Sequence, residues 1–285
     1  MKSNIFSKLE KHLVKENIII YCSLYQKKYD VKFIGEQLFK FISSKKNFTF
    51  IIPAFTNIYA FKKGRENFYY RKRKSNLGYF PNYLIKKKNI HRSLHPTNSY
   101  IFVGKNAKKY SKIENYNSSP HKIFETIGLN NIITLGINYK GSVSYHLAEY
   151  QSEISKKNIG KFFLGSFYKK KNDFFWFKSK HVHGCSIKHV KNFGKFYITK
   201  GIVKIIKINE IKIFFTDFKK ILEFEKRLLK KNNKYFLCKD KLCIYCNALS
   251  YLDLKKIVRF YILNLKKVVK MFFLYRKNSL NLDLK

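Results

Sequence analysis

Four short apolar runs constrain this chain more than anything else in it. Ile18 to Leu24, Phe48 to Ile52, Tyr100 to Val103 and Asn131 to Ile137 are rich in β-branched and aromatic residues. Their flanks are polar, or carry Pro53 and Gly104. Such runs read as buried strands. Between the first two, Ile34, Leu38, Phe39 and Ile42 recur at helical spacing. Ser119-Pro120 reads as an N-cap with Pro at the first helical position, opening a short helix with Ile123, Phe124 and Ile127 that Gly128 ends. Strands separated by helices predict an α/β fold: a central mixed sheet, part of it parallel, flanked by helices.

The second half has a different texture. Phe162-Phe163-Leu164 with Phe167-Tyr168, Phe174 to Phe177, Tyr197-Ile198 and Ile202 to Ile208 read as successive strands of a smaller antiparallel region. Thr216-Asp217 can cap a helix that buries Phe218, Ile221, Leu222, Leu228 and Leu229. Asp253 can cap a C-terminal one, with Leu254, Ile257, Tyr261, Leu265 and Phe272 on one face and Lys255, Lys256, Arg259 and Lys266 largely opposite. A basic amphipathic helix suits either the protein core or a membrane surface. No repeat and no Pro- or Ser-rich linker divides the chain, so residues 1–285 are expected to form a single domain.

At 45% hydrophobic and 18% aromatic, the 285 residues can bury a substantial core, which excludes wholesale disorder. The charge is unusual, with 60 Lys+Arg against 17 Asp+Glu for a net +43. Two readings stand: a polyanionic partner, or a biased coding composition that favours Lys, Asn, Ile, Phe and Tyr together. The basic residues are spread along the chain in short runs rather than gathered in a tail. Five cysteines, an odd number, argue against a secreted disulfide scaffold. Residues 1–11 lack the apolar core of a signal peptide, and no apolar run approaches a membrane span, so a cytoplasmic, soluble protein is expected.

Three groups of residues carry the types needed for chemistry. His91-Arg92-Ser93-Leu94-His95-Pro96-Thr97-Asn98-Ser99 is a polar loop feeding a buried strand, a common place for a site. Ser144-Tyr145-His146-Leu147-Ala148-Glu149 follows the fourth strand after a polar turn; if helical, it sets His146 and Glu149 on one face. A histidine there can take a proton near neutral pH while the carboxylate orients it. The same pair resembles part of a zinc motif, but two ligands do not make a site. Cys238, Cys243 and Cys246 could bind zinc with Cys185 or His183 as fourth ligand, yet the spacing is loose. They read as buried or free thiols, and no metal is expected.

Taken in order, these motifs resemble the aminoglycoside 3-N-acetyltransferase family. Arg92-Ser93-Leu94-His95-Pro96-Thr97-Asn98-Ser99 is similar to its R-S-x-H-P-x-x-S segment. Ser75-Asn76-Leu77-Gly78 precedes it; Ile101-Phe102-Val103-Gly104 with Ala107, Ser119-Pro120, Ile133-Thr134-Leu135-Gly136 and His146-x-x-Glu149 follow. Cys22-Ser23-Leu24 stands where the family has its coenzyme-binding turn, and Ile52-Pro53-Ala54-Phe55-Thr56 resembles its P-T-F-T segment. The likeness is densest over 75–150 and extends from about residue 12 to 231, leaving 232–285 to the cysteine cluster and the basic helix. Tyr21-Cys22 departs from the usual His-Ser pair, and Lys27-Lys28 replace a Gly-rich continuation; lysines suit coenzyme phosphates.

The resemblance implies acetyl transfer from acetyl-coenzyme A, as co-substrate, to an amine of an aminoglycoside or other amino sugar. His146 would be the base, with Glu149 orienting it or anchoring the acceptor. Ser23, Leu24, Arg92, Ser93, Thr97 and Ser99 would contact coenzyme, with donors near Thr97 and Ser99 facing the thioester oxygen. His95 and Asn98 are second-rank site residues. So few carboxylates suit a polycationic drug poorly, which favours a neutral or anionic amino sugar, nucleotide- or glycan-linked. The alternatives are a non-enzymatic nucleic-acid or ribosome-associated protein, and a same-fold acyltransferase of surface-glycan biosynthesis. No specific nucleic-acid partner and no membrane span are expected, and the oligomeric state stays open.

Overall fold

The structure is a computed structural model, and it describes residues 6–13, 16–23, 30–56, 58–60, 68–127, 131–136, 143–152, 164–180, 194–208, 211–238 and 246. Leu24, Lys27, Lys28, His183, Cys185, Cys243 and the C-terminal helix expected from Asp253 lie outside these residues.

A seven-stranded mixed sheet forms the centre. Its strands are β1 (Asn17–Ser23), β2 (Thr49–Pro53), β4 (His91–Arg92), β5 (Tyr100–Gly104), β6 (Asn131–Gly136), β9 (Lys204–Ile208) and β10 (Ile211–Asp217), in the order β4-β5-β2-β1-β6-β10-β9. β1 runs parallel to β2 and β6, with Ile19 opposite Ile51 and Ile132. β5, β4, β10 and β9 add antiparallel pairs outside them. β3 (Tyr59–Ala60), β7 (Leu164–Lys170) and β8 (Asp173–Lys178) make a separate antiparallel sheet.

Side chains alternate across a strand, so a run that is apolar at every position must be covered on both faces. Ile19, Ile51, Phe102 and Ile132 enter one core, together with residues of α3 (Ala107–Tyr110), α4 (Lys122–Thr126), α5 (Val143–Gln151), α6 (Gly194–Thr199) and α7 (Phe218–Lys231). Ile18, Ile20, Phe50, Ile52, Ile101 and Ile133 enter the other, against α1 (Val31–Ser44) and α2 (Tyr79–Ile85). α1 forms because Ile34, Leu38, Phe41 and Ile42 share a buried face, and because Asp30 accepts the N–H groups of Lys32 and Phe33 at its start. Gly104 ends β5 at φ +107°, where an added Cβ would lie 2.1 Å from the Phe48 carbonyl oxygen. At the far side β9 is the last strand among the described residues, with Lys204, Ile205 and Lys207 exposed.

The α/β expectation holds, and so does the helix capped by Asp217, whose carboxylate accepts the Lys220 N–H at 2.8 Å. Three local expectations are corrected. Pro120 is not at the first helical position: the helix begins at Lys122, and His121 precedes it in the left-handed region at φ 65°. Tyr197-Ile198, β-like in composition, lies in helix α6, where Tyr197 is buried and the backbone closes on itself through Gly201 N–H to Ile198 C=O. The stretch before Ile208 joins the main sheet through β10 instead of the small one. No helix among the described residues is long and apolar enough to cross a membrane.

Candidate active site

The carboxyl ends of the parallel strands β1, β2 and β6 lie together, with Ser23 opposite Gly136. β5 is antiparallel to β2 and enters the sheet at this same edge, Tyr100 facing Pro53. The loop 93–99, the segment 54–56 and α5 therefore converge there, the customary site position of an open α/β sheet.

α5 carries His146 and Glu149. Its first turn is tied down by Tyr21, whose hydroxyl accepts the Val143 N–H at 2.7 Å and so satisfies one donor that a helix start leaves open. His146 Nδ1 lies 3.7 Å from Glu149 Oε2; the carboxylate is buried, while the imidazole side chain keeps 15% of its exposure. The expected helix and the shared face are present. The Tyr145 ring lies against the imidazole at 3.8 Å between centroids, tilted by 40°, and His121 lies parallel to the imidazole, 9° between planes, at 6.1 Å.

The loop 93–99 turns inward. His95 Nδ1 accepts the N–H groups of Thr97 (3.3 Å) and Asn98 (3.0 Å), so the ring caps its own turn. The ring packs edge-on to Phe177 of the small sheet at 4.9 Å. Burial, and secondarily the charge of Lys180, pushes its pKa down to about 3, and it is neutral at physiological pH. Arg92 is equally enclosed: Nε donates to Ser99 Oγ at 3.1 Å, NH2 to the Ala54 carbonyl at 2.6 Å, and NH1 to the carbonyls of Arg71 and Arg73. Ser93 Oγ accepts the Tyr100 N–H at 2.9 Å; Ser99 Oγ donates to Ala54 at 2.7 Å; Thr97 Oγ1 donates to Asn98 Oδ1 at 2.8 Å. The side chains of Arg92, Ser93, Thr97 and Ser99, expected to contact coenzyme, make these internal hydrogen bonds and form the wall that carries the loop. Ser75 does similar work: its hydroxyl donates to the Phe55 carbonyl and accepts the Leu77 N–H, both at 3.1 Å. Ser23 ends β1 opposite Gly136, and Leu24 lies outside the described residues.

Four buried titratable residues without a role in the sequence expectations connect to the pair directly or in sequence: His121 beside His146, Tyr100 on His121, Glu114 acting on Tyr100, and Glu225 beside Glu149. His121 is buried and its Nδ1 meets the Tyr100 hydroxyl at 2.5 Å. Burial raises the Tyr100 hydroxyl pKa well above the usual range, with Glu114 and Tyr21 adding to it. Glu114 is buried too, accepting the Ile123 N–H at 3.2 Å, and burial lifts its carboxyl well above the ordinary value. Glu225 of α7 accepts the Tyr197 hydroxyl at 2.9 Å. Burial first, then the nearby Glu149 charge, raises its pKa to about 8, with bonds from Ser144 and Tyr197 opposing the rise. One signal could have found Glu225: it stands four residues from both Ile221 and Leu229, inside the apolar stripe of its helix. No motif marks the other three.

Elsewhere, Cys246 Sγ accepts the Cys238 N–H at 3.3 Å, and among the described residues no three metal-ligating side chains gather.

The sequence profile of the aminoglycoside 3-N-acetyltransferase family matches residues 49–230, nearly two thirds of the chain and all of this edge except β1. The chain belongs to that family. As a member it is an acetyltransferase, which sets aside the non-enzymatic nucleic-acid alternative. Among solved structures, the apoenzyme of aminoglycoside acetyltransferase AAC(3)-IVa shares 14% identity and a TM-score of 0.66, over 86% of this chain and 94% of that one. AAC-IIIb in its binary complex with CoASH shares 15%, with a TM-score of 0.62, over 83% and 97%. The YokD protein from Bacillus subtilis shares 12%, with a TM-score of 0.59, over 78% and 91%. At these identities the structures speak for the fold. No curated protein sequence matches the acetyltransferase chain.

Proposed function

We propose that this acetyltransferase moves an acetyl group from acetyl-coenzyme A to the amine of an amino sugar, with His146 as general base. The observation that carries this reading is the His146–Glu149 pair on α5, a half-open imidazole backed by a buried carboxylate 3.7 Å away at the carboxyl edge of the sheet. An ammonium cannot attack a thioester, so the nitrogen must first give up a proton; an imidazole titrates in the right range to take it. Glu149 lies on the Nδ1 side, which leaves Nε2 for the amine. The neutral amine nitrogen then bonds to the thioester carbonyl carbon and the carbon–sulfur bond breaks; of the two protons the ammonium loses in all, one passes through His146 to the leaving thiolate and the other leaves the amide nitrogen for water. No covalent acetyl-enzyme is needed. A solved relative, AAC-IIIb, binds CoASH, which supports coenzyme A as the donor carrier.

Ser23 and Leu24 remain our assignment for coenzyme contact, because they end β1 beside this edge. Arg92, Ser93, Thr97 and Ser99 we assign to holding the loop 93–99 in shape, with His95 and Asn98 as parts of the same turn. Proximity in the cleft supplies much of the rate.

For the acceptor, we infer a neutral or anionic amino sugar. Relatives have been solved with gentamicin and apramycin. Among the described residues the carboxyls at the site, Glu114, Glu149 and Glu225, are all buried and present no anionic lining for a polycation. The test is coenzyme A thiol release with aminoglycosides and nucleotide-linked amino sugars as acceptors. Thiol release with an amino sugar, reduced about a hundredfold or more in His146→Ala with circular dichroism unchanged, is the expected result. Undiminished turnover by His146→Ala removes the base assignment, and efficient turnover of the cationic drugs alone removes the acceptor.

A further inference from the structure

The least expected polar group near the site is Glu225. It belongs to α7, yet its carboxyl has no exposed surface, and α7 packs along α5, the helix of the proposed base. One oxygen, Oε1, accepts the Tyr197 hydroxyl; the other, Oε2, has no hydrogen-bond partner among the described residues. The polar groups acting on it are Ser144 and Glu149 of α5 and Tyr197 of α6, with no cation among them. Ser144 sits two residues before His146, and Glu149 is the carboxylate beside it.

Two carboxyls in one dry space do not both ionise, because each charge loses its water and repels the other. Glu149 has an imidazole next to it and Glu225 has only dipoles, so the negative charge belongs on Glu149. A charged Glu225 would also leave a buried anion with nothing positive opposite it among the described residues. We propose that Glu225 is a positioning residue for the His146–Glu149 pair: a neutral acid, fixed by Tyr197 beneath α5, that leaves Glu149 as the sole charge on the base. The proton of the neutral acid sits on Oε2, since Oε1 is the acceptor for Tyr197. This inference rests on His146 acting as the base. Its ionisation state, however, can be read without any acceptor.

Two measurements test it. In the first, the ring protons of His146 are titrated by NMR in the full-length wild type and in Glu225→Gln. The wild type is expected to show, beside the imidazole's own inflection, a second one near pH 8 from Glu225, with its neighbour's charge appearing beneath α5. Glu225→Gln, which keeps the shape and hydrogen bonding of a neutral acid, is expected to lose that inflection. A wild type without it, or a variant that keeps it, overturns the proposal whatever the acceptor is. In the second, thiol release is followed against pH. Glu225→Ala is expected to lower turnover about tenfold with KM little changed, and Glu225→Gln to restore most of it while removing the wild type's alkaline change. Loss in Glu225→Gln equal to that in Glu225→Ala overturns the neutral-acid role. Normal NMR behaviour with no thiol release from any amino sugar counts instead against the acetyl-transfer reading.

Discussion

His95 is a histidine that the fold holds uncharged, and the cost of that appears on acidification. In the unfolded chain it takes a proton at its ordinary value of 6.5; in the folded protein it does so only near 3. Between these values the unfolded state binds one more proton, so stability falls as pH falls, by about 1.4 kcal/mol per pH unit. From pH 6.5 to about 4.5 the loss assigned to this one ring is about 3 kcal/mol, and over the whole window about 5 kcal/mol. The structural cause is direct, because Nδ1 accepts two backbone N–H groups and protonation turns that acceptor into a donor. His95→Asn is the informative substitution. An Asn oxygen can serve the same two donors as an Asx turn does, but it cannot titrate. The smaller side chain leaves space against Phe177 and lowers stability at neutral pH by about 1–2 kcal/mol. Urea unfolding of both proteins from neutral to acid pH should then give curves that converge and cross within this window, the wild type becoming the less stable of the two at its acid end. Other carboxylates and histidines contribute equally to both and cancel in the difference. Parallel curves would refute the assignment of a neutral, turn-capping His95.

Two further outcomes follow from the frame around this loop. Arg92→Lys is expected to cost about 3 kcal/mol in urea unfolding, since one ammonium cannot replace a planar group that serves the carbonyls of Ala54, Arg71 and Arg73 and the Ser99 hydroxyl at once. Gly104→Ala is expected to cost more than about 3 kcal/mol, read as a lowered Tm, because the new Cβ meets the Phe48 carbonyl at 2.1 Å on a backbone at φ +107°.

Much of the sheet was legible because burial on two faces writes itself as uninterrupted apolar runs, as in Ile18-Ile19-Ile20. The His146–Glu149 pair was legible for a different reason: its spacing of three means something only on a helix, and the strand before it says where that helix starts. Destinations of polar side chains were not legible. Nothing in the neighbourhood of Arg92 reveals that its guanidinium turns to carbonyls twenty to forty residues upstream. A polar loop reads as a surface for ligands, whereas residues 92, 93, 95 and 97–99 are all nearly inaccessible to solvent. Tyr197-Ile198 misled because aromatic and β-branched residues favour strands only while packing agrees, and here Tyr197 is needed under α7, bonded to Glu225. His121 was hidden by Pro120, which suggested a helix start two residues too early.

Among the described residues β9 leaves one edge of the main sheet without a partner strand, and that gives the basic composition a local meaning. An unpaired outer strand offers a row of free backbone donors and acceptors to any second copy of itself. β9 offers them between Lys204 and Lys207, with the apolar Ile205 exposed beside them. Antiparallel docking of two such strands would press ammonium groups of one copy against those of the other, without a carboxylate in either five-residue strand to relieve them. Such repulsion would oppose an eighth strand supplied by a second copy, the kind of protection that a chain with 28 phenylalanines and 21 tyrosines needs at a sheet edge.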